Sequence, residues 1–407
     1  MKKSKVVLTL LLCLLLAACN SKTDKVETEK PKEENTKQEE VVKEEKKEEQ
    51  KEEIDEASGL KVEGKLDLKF SKSYKVDFLE KGVKKYTDVE GREVYFLPEG
   101  VELDNKDLIT LKIPVERIAI FSTVDATFLR PIDKLDTIVA TTTKAGSWRI
   151  PEVKERVENG EITYLGSKSE LNNEELQRVN PDVIFFTYEN LERTPILIQT
   201  FNDLGLNWLG FSHHMESDPR ARIEWVKLAG ILTGELDKAT QYYDKQLETI
   251  AEVEKMTAEE NGEKPTFAWT FLFKDLFYTK KAGDYSVKTA ELAGSKTIFA
   301  NLEPENDGNA KLNAEEFYKG AQNADFLIID TISSTGIEKV SDLIEYADYM
   351  GDLKAVKDNR VWGLKPNYYQ SADFTADMIK ELYDIFHDEE GKITETEYFY
   401  NMGIDEK

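Results

Sequence analysis

Short apolar runs alternate with helix-like segments through most of the chain, and this alternation constrains the fold more than any other feature. The first four runs end in polar residues, and helix-like stretches over 174–179 and 193–204 lie between them. Continuous apolar strands that alternate with helices are typical of α/β layers with a largely parallel sheet. The runs predicted as strands are 117–121, 136–140, 181–186, 208–211, 266–271, 276–278, 324–330 and 360–364.

A long helical pattern separates the strand–helix segments into two groups. Ser217-Asp218-Pro219 is a strong helix start, because a capping residue precedes a proline at the first helical position. Apolar residues then recur at helical spacing to about Met256, with a weak point at Thr233-Gly234. An unbroken helix of roughly 38 residues would span about 57 Å, which suits a connection between two lobes. The predicted divisions of the folded part are an N-terminal β element packed on the N-lobe (57–113), an N-terminal α/β lobe (114–216), an interlobe helix (217–256) and a C-terminal α/β lobe with a closing helix (257–407).

The first 19 residues have the organisation of an export signal. A lysine-rich start precedes an apolar run over 6–16, which is shorter than the ~20 residues of a membrane-spanning helix. Leu16-Ala17-Ala18-Cys19 resembles a bacterial lipobox. That resemblance implies removal of residues 1–18 as a lipoprotein signal peptide, lipidation of Cys19 with fatty acyl chains such as palmitate, and anchoring at the extracytoplasmic face of the cell membrane. A plain signal peptide with a chance cysteine is the alternative.

The segment that follows differs sharply from the rest of the chain. Lys and Glu dominate residues 20–56, which contain no aromatic residue, so this segment cannot bury enough apolar surface to become ordered. We predict that 19–56 is a lipidated, disordered tether, with a single charged helix as the alternative. The chain has two cysteines, and Cys13 would leave with the signal. The mature fold is therefore predicted to lack disulfides.

The chain is strongly acidic, and its charge limits the partners that it can bind. The formal net charge is −25, and most of it lies in residues 57–407. This balance argues against nucleic acid and anionic lipid headgroups as partners, although a local basic pocket could still bind an anionic ligand. The sequence has no Gly-x-Ser-x-Gly, His-Glu-x-x-His, P-loop or Cys–His pair, so we expect no enzyme and no catalytic residues.

Five short sequence blocks occur in a fixed order between about residues 85 and 390. They are T-D-V-E-G-R-E-V at 87–94, P-V-E-R-I at 114–118, the segment 174–183, T-G-E at 233–235 with Ala239, and N-R-V-W at 359–362. Together they resemble the solute-binding lipoproteins of ABC importers for iron–siderophores, haem and cobalamin, the class III periplasmic binding proteins. The resemblance implies an α/β fold with two Rossmann-like lobes, one long rigid interlobe helix, a ligand cleft between the lobes and small hinge motion.

The same resemblance implies a function in import. A member of this family captures its ligand outside the cell and hands it to an ABC importer permease. We expect a monomer without a permanently bound cofactor, whose ligand is a metal chelate: a ferric siderophore, haem or a corrinoid. A surface adhesin or sensor that reuses the fold without a permease is the alternative from another class.

Two glutamates resemble the residues with which family members dock on their permease. Glu174 stands seven residues before Pro181, as the N-lobe glutamate of the family does. The C-lobe equivalent is predicted as Glu315, with Glu316 as the alternative, because the spacing there is longer and the family's proline is absent. The alternative interpretation of each is an exposed first-turn glutamate that the helix dipole favours.

The ligand site is predicted from a topological rule, since ligands bind at the carboxyl ends of strands in parallel α/β sheets. The segments after the predicted strands are rich in aromatic and cationic side chains, which suit a flat or anionic chelate. For Trp269 a core position is equally favoured, and His213 and His214 are interpreted as polar loop residues rather than ligands of a bare metal ion. The predicted ligand contacts are Thr123, Trp148, Arg149, Tyr188, His213, Trp269, Tyr368 and Tyr369.

Overall fold

The computed structural model describes residues 53–188 and 194–403. The predictions for the signal peptide, for Cys19 and for the tether as far as residue 52 lie outside the described residues. Glu52–Lys407 forms one compact unit. Within the described part of the chain, no helix has both the length and the apolar character to cross a membrane.

The first sheet is built by the segment that the sequence predicts as a β element. Its five strands follow one another in order, antiparallel except for the parallel last pair. Asp88 ends the third strand and its carboxylate accepts hydrogen bonds from the backbone N–H groups of Glu90 and Arg92, while Gly91 adopts φ 81°. Glycine allows the left-handed conformation that closes this tight turn. The strands are β1 (Val62–Lys65), β2 (Tyr74–Leu79), β3 (Lys84–Asp88), β4 (Glu93–Leu97) and β5 (Thr110–Lys112).

The N-lobe contains a five-stranded, fully parallel sheet, and the four apolar runs predicted there are all strands of it. The order is β10-β9-β6-β7-β8, and β8 is a two-residue edge strand that the sequence pattern did not reveal. Its strands are β6 (Ile118–Ile120), β7 (Ile138–Thr141), β8 (Thr163–Tyr164), β9 (Val183–Phe186) and β10 (Trp208–Gly210). Its helices are α1 (Asp125–Leu129), α2 (Pro151–Glu158), α3 (Asn173–Val179) and α4 (Thr194–Asp203).

The C-lobe sheet has seven strands and mixes parallel with antiparallel pairs. β11, β15 and β16 form its parallel centre, whereas β12, β14 and β17 join it antiparallel. Its strands are β11 (Thr266–Phe273), β12 (Leu276–Lys280), β13 (Lys296–Thr297), β14 (Asn309–Leu312), β15 (Phe326–Ile329), β16 (Val361–Leu364) and β17 (Phe399–Asn401). Its helices are α8 (Tyr285–Leu292), α9 (Ala314–Ala321), α10 (Val340–Tyr346), α11 (Lys354–Lys357) and α12 (Thr375–Phe386).

The connection between the lobes is not the single helix over 219–256 that the sequence predicts. It consists of α5 (Pro219–Ile223), α6 (Val226–Thr233) and α7 (Leu236–Glu259). Gly234 ends α6 at φ 80°, and α6 then packs against α7 so closely that a Cβ on Gly230 would lie 2.7 Å from Cβ of Ala239. The long interlobe element is therefore α7 alone, about 36 Å in length.

The helix α7 packs against elements of both lobes. On one side it contacts the short 3₁₀ helix Arg130–Ile132 of the N-lobe, and on the other it contacts α12 of the C-lobe. Ile120, Tyr243 and Ile379 belong to one continuous cluster of buried apolar side chains that runs from the N-lobe through α7 into the C-lobe. Such a shared core restrains the two lobes against each other.

Candidate functional site

A wide cavity lies between the lobes at the carboxyl ends of the central strands. We call it the outer cleft, and its volume is about 1120 Å³. The N-lobe lines it with Thr123, after β6, and with Arg149, after β7. The C-lobe lines it with Thr331, after β15, and with Lys365 and Tyr369, after β16. Parallel strands of each sheet therefore direct their following loops toward one cleft, as the topological rule requires.

A smaller cavity of about 250 Å³ adjoins the outer cleft at Tyr369, which lines both. We call it the inner pocket. Its lining combines aromatic rings with hydroxyl, imidazole and cationic groups from the N-lobe, from α5 and from the C-lobe. Principal members are Thr187, His213, Arg222, Lys280, Tyr285 and Tyr368.

Arg222 is the most constrained cation of the inner pocket. Its Nε donates to the carbonyl oxygen of Glu216 at 2.8 Å, and its Nη2 donates to that of His214 at 2.8 Å. The guanidinium carbon lies 3.7 Å from the centre of the Tyr285 ring, a cation–π contact. Burial lowers the pKa of Arg222, and the negative charge of Asp284 opposes that shift.

Two neighbouring tyrosines of the C-lobe have contrasting hydrogen-bond states. Tyr369 donates its hydroxyl proton to Oδ2 of Asp330 at 2.5 Å. Tyr368 is 3 % exposed, and its hydroxyl has no hydrogen-bond partner among the described residues. Burial raises the pKa of both phenols well above the usual value, so both are neutral donors at physiological pH.

Polar bridges join the two lobes beside the outer cleft. The side chain of Gln370 accepts from the backbone N–H of Arg149 at 2.6 Å and donates to the carbonyl oxygen of Ser147 at 2.8 Å. Arg130 binds the carboxylate of Asp373 with two hydrogen bonds, of 2.6 Å and 2.5 Å. These contacts hold the lobes in the arrangement described here, with the cleft walls facing each other.

Five predicted ligand contacts lie where the sequence analysis expected them. Thr123 and Arg149 line the outer cleft, His213 and Tyr368 line the inner pocket, and Tyr369 lines both. They come from four different strand ends, so the fold brings together residues that are distant in sequence.

Three predicted contacts do not line either cavity. Trp148 is 1 % exposed and turns into the core, where its Nε1 donates to the carbonyl oxygen of Thr143. Tyr188 points toward the first sheet, where its hydroxyl donates to Asp88. Trp269 is 2 % exposed and contacts the ring of Tyr368 from behind, at 6.2 Å between centroids. The strand-end rule selects backbone positions but not side-chain directions, which is why these three side chains turn away from both cavities.

His213 and His214 both line the inner pocket, and their ring centroids lie 6.1 Å apart. The ring of His213 packs against Phe128, and its Nε2 lies 3.5 Å from Oδ1 of Asp125. His214 lines the inner pocket and provides the carbonyl oxygen that binds Arg222. Among the described residues, no three His, Cys, Asp or Glu side chains converge as metal ligands would.

The two predicted docking glutamates occupy equivalent positions in the two lobes. Asn172 caps α3 and Asn313 caps α9, each through a hydrogen bond to the third helical residue, and each helix leads into a central strand. Glu174 and Glu315 are both the second helical residue, and both are exposed. Glu315 pairs with Lys319 at 2.6 Å on the exposed surface, and the carboxylate of Glu316 accepts from the backbone N–H of Asn313 in the cap. The equivalence favours Glu315 over Glu316.

Two lobes, a connecting helix and a lined cleft between the lobes define a two-lobed solute-binding protein. A family model described as periplasmic binding protein matches residues 118–368. The chain therefore belongs to the periplasmic binding protein family. The first sheet, over residues 62–112, precedes the matched region.

Known proteins resemble the chain at low sequence identity. An uncharacterized lipoprotein of Methanocaldococcus jannaschii is 24 % identical over 302 residues, which cover 72 % of this chain and 70 % of that protein. A periplasmic solute-binding protein of Veillonella parvula superposes with a TM-score of 0.54 at 17 % identity, covering 75 % of this chain and 88 % of that one.

Two further solved structures share the fold and carry descriptions that refer to iron. An Fe³⁺-hydroxamate transport protein of Saccharomonospora viridis has a TM-score of 0.52 at 16 % identity, covering 67 % of this chain and 94 % of that one. A possible iron-binding, periplasmic solute-binding protein of Staphylococcus epidermidis has a TM-score of 0.53 at 17 % identity, covering 67 % and 99 %. At these identities the likeness shows the fold.

The sequence analysis missed the pocket residues that do not follow a parallel strand. Arg222 lies in the connecting helix α5, and Lys280 ends the antiparallel strand β12. One signal for Arg222 was available in the sequence. In the helix predicted over 219–256, Arg222 would lie in the first turn, where a cation opposes the helix dipole and needs another reason to be present; in the structure it lies in the last turn of α5, where the dipole favours a cation.

Proposed function

We propose that the protein is an extracytoplasmic receptor that captures a metal chelate in the cleft between its lobes and delivers it to an ABC importer permease. The observation that carries the proposal is the cleft itself. Strand ends of both lobes line a cavity of about 1120 Å³, and Tyr369 lines both this cavity and the inner pocket. A single amino acid or bare ion would leave most of this space unfilled, whereas a bulky chelate is of suitable size.

Iron chelates are the favoured ligand class, with haem or a corrinoid as the alternative within the family. The descriptions of the relatives from Saccharomonospora viridis and Staphylococcus epidermidis support iron, and the first of these names a hydroxamate. Arg149 supplies a cation at the outer cleft, which suits the oxygen-rich surface of a ferric siderophore, whereas Lys365 pairs there with Glu395 at 3.2 Å.

Delivery would use the exposed glutamates Glu174 and Glu315. Their equivalent positions in the two lobes would present one carboxylate on each lobe to a permease, for pairing with cationic side chains. We expect that a Glu174→Ala/Glu315→Ala double variant loses chelate uptake in cells that carry the cognate importer but binds the chelate as tightly as the parent protein.

A matched control keeps the number of removed charges equal. Glu152 and Glu248 are also exposed helical glutamates, so a Glu152→Ala/Glu248→Ala variant should retain uptake. Unchanged uptake by the docking variant would contradict delivery to a permease and would favour a surface adhesin or sensor. Loss of binding as well as uptake would indicate that the substitutions disturb the fold rather than the docking.

The proposal includes a lipid anchor at Cys19, which would keep the receptor beside the permease. Two or more acyl chains are needed for stable anchoring. A Cys19→Ser variant should be released from the membrane fraction, while the parent chain should stay with it. Equal membrane retention of both proteins would contradict the anchor without affecting the argument for ligand capture.

A further inference from the structure

We propose that the tip of the β11–β12 hairpin in the C-lobe is an apolar contact site for the ABC importer permease, with Phe273 at its centre. The hairpin tip comprises residues 271–278, which end β11, form the turn and begin β12. This inference rests on the proposed function, because it adds a second contact to the surface that would meet the permease. Glu315 would provide the charged contact of the C-lobe, and the hairpin tip would provide the apolar one.

The hairpin tip extends past the parallel centre of the C-lobe sheet. β11 pairs with β15 only as far as Thr270 and Ile329, so its last three residues continue beyond the neighbouring strand. β12 then returns antiparallel, with Phe273 opposite Leu276. The tip therefore lies at the carboxyl end of the sheet, the end whose loops line the outer cleft.

The predicted docking glutamate of the C-lobe lies at the same end of the sheet. Phe277 pairs with Leu312, the last residue of β14, and Asn313 follows as the cap of α9. Glu315 is the second residue of that helix, and the ring of Phe277 stacks on Phe317 of α9 with 4.3 Å between the centroids. A buried contact therefore joins the hairpin to the helix that carries Glu315, so one partner can contact both.

One face of the hairpin tip is covered by the lobe, and the other face carries exposed aromatic rings. Leu272 and Phe277 are buried in the C-lobe core. Side chains alternate across a strand, so Phe271, Phe273 and Tyr278 belong to the opposite face. The ring of Tyr278 stacks on Phe271 at 4.8 Å and lies 6.2 Å from the ring of Phe273, which is 38 % exposed. An exposed aromatic cluster of this kind is typical of an interaction site.

The hairpin tip is held in place although it is exposed. The backbone N–H of Leu272 donates to Oγ of Ser334 at 3.2 Å, and its carbonyl oxygen accepts from the backbone N–H of Thr335 at 2.8 Å. The hydroxyl of Tyr346 donates to the carbonyl oxygen of Asp275 at 3.0 Å. A contact site that is already ordered loses little conformational freedom when a partner binds.

The turn itself does not explain the residues at the tip. Lys274 adopts φ 48° and Asp275 adopts φ 60°, so both lie in the left-handed region. An Asn-Gly pair would form such a two-residue hairpin turn at lower conformational cost. A lysine at this position is therefore better explained by a contact that its side chain makes at the surface.

Two lysines border the aromatic face without acidic partners. Nζ of Lys274 lies 5.1 Å from the centroid of the Phe273 ring, and Nζ of Lys311 lies 5.5 Å from that of Tyr278. Neither lysine forms an ion pair within the described part of the chain, although the sequence has 80 Asp and Glu residues. The complementary surface is therefore apolar with carboxylates at its border, which suits a protein loop. The acidic balance of the whole chain disfavours anionic lipid headgroups as the partner.

The test measures binding of the mature chain with Cys19→Ser to the cognate importer in lipid nanodiscs, and empty nanodiscs of the same lipid are the control for membrane binding. Phe273→Ala should weaken importer binding at least about tenfold. Its melting temperature, and its tryptophan quenching by a ferric hydroxamate, a ferric catecholate, haem and cobalamin, should match those of the parent. Tyr349→Ala is the matched control, because Tyr349 is a 37 % exposed aromatic residue of the same lobe outside the hairpin tip. It should bind the importer as the parent does.

Four results would contradict the inference, and they differ in what else they reject. Equal importer binding by Phe273→Ala and the parent would reject the hairpin contact and leave delivery to a permease intact. Equally tight binding of the parent to empty nanodiscs would assign the tip to lipid. Altered chelate quenching in Phe273→Ala would assign Phe273 to the ligand site. Failure of the parent itself to bind the importer would reject the proposed delivery and the hairpin contact together.

Discussion

Glu224→Gln should destabilise the fold strongly, although it exchanges one oxygen for a nitrogen in a side chain of the same size. Oε1 of Glu224 accepts from the backbone N–H of Lys69 at 2.8 Å and from Nζ of Lys227 at 2.9 Å. Oε2 accepts from the backbone N–H groups of Phe70 and Ser71, both at 2.9 Å. Either orientation of the glutamine amide therefore directs an NH₂ group at two donors.

The magnitude follows from the number of lost bonds and from burial. Two hydrogen bonds to a charged acceptor contribute roughly 1.5–3 kcal/mol each. Glu224 is 0 % and Lys227 2 % exposed, and breaking a buried ion pair costs about 3–5 kcal/mol. The two descriptions overlap, and the carbonyl oxygen of Asp67 still accepts from Lys227. We expect the free energy of unfolding to fall by about 4 kcal/mol.

Urea-induced unfolding, followed by tryptophan fluorescence, measures this loss. Glu254→Gln is the matched control, because Glu254 pairs with Arg220 at 3.2 Å but its side chain is 43 % exposed. An exposed pair contributes about 0–1 kcal/mol, so the control should unfold almost as the parent does. A loss below about 1 kcal/mol for Glu224→Gln would refute the reasoning that this carboxylate fastens the first sheet to the connection between the lobes.

Two further predictions concern Asp55, which lies beside the first sheet, and Gly210, which ends β10 of the N-lobe sheet. Burial alone would raise the pKa of Asp55, but hydrogen bonds from Lys85, Ser58 and Tyr95 lower it to about 2. The contribution of Asp55 to stability should therefore be complete above about pH 4 and lost as the pH falls toward 2. Acid-unfolding curves of the parent and of the Asp55→Asn variant should converge at that low pH, and parallel curves would contradict this prediction. Gly210→Ala would place a Cβ 2.5 Å from Cε2 of Tyr188. It should lower the free energy of unfolding by about 1–3 kcal/mol, as measured by urea unfolding. An unchanged free energy of unfolding would contradict this prediction.

The sequence predicts much of the sheet architecture because apolar runs report burial directly. All four runs predicted in the N-lobe became parallel strands, since both faces of that sheet are covered. β8, β13, β14 and β17 were missed; β8 and β13 have two residues each, which leave no periodic pattern, and β14 and β17 are antiparallel strands of four and three residues at the ends of the C-lobe sheet. Short strands of this kind are defined by their neighbours in space rather than by their own sequence.

The interlobe connection shows where local pattern fails. Thr233-Gly234 is visible in the sequence as a weak point, but helical spacing continues on both sides of it. Whether the chain bends or continues there depends on the contact between Gly230 of α6 and Ala239 of α7. That is a tertiary contact, and a periodicity argument does not contain it.

The candidate site was predictable to the extent that backbone topology determines it. The strand-end rule located Thr123, Arg149 and Tyr369, because it depends only on strand order. It could not place Trp148, whose direction is fixed by core packing and by a hydrogen bond to Thr143. It also could not find Arg222, which reaches the pocket from a helix.

Direct titration of the cleft tests the central claim, capture of a metal chelate between the lobes. The mature chain with Cys19→Ser, which avoids the lipid, is titrated with a ferric hydroxamate, a ferric catecholate, haem and cobalamin while tryptophan fluorescence is recorded. The ring of Trp269 lies 6.2 Å from that of Tyr368, which lines the inner pocket, so its fluorescence should report an absorbing ligand. We predict saturable 1:1 quenching by at least one of these chelates, which Arg149→Met weakens. Absence of saturable quenching by all four would contradict the account.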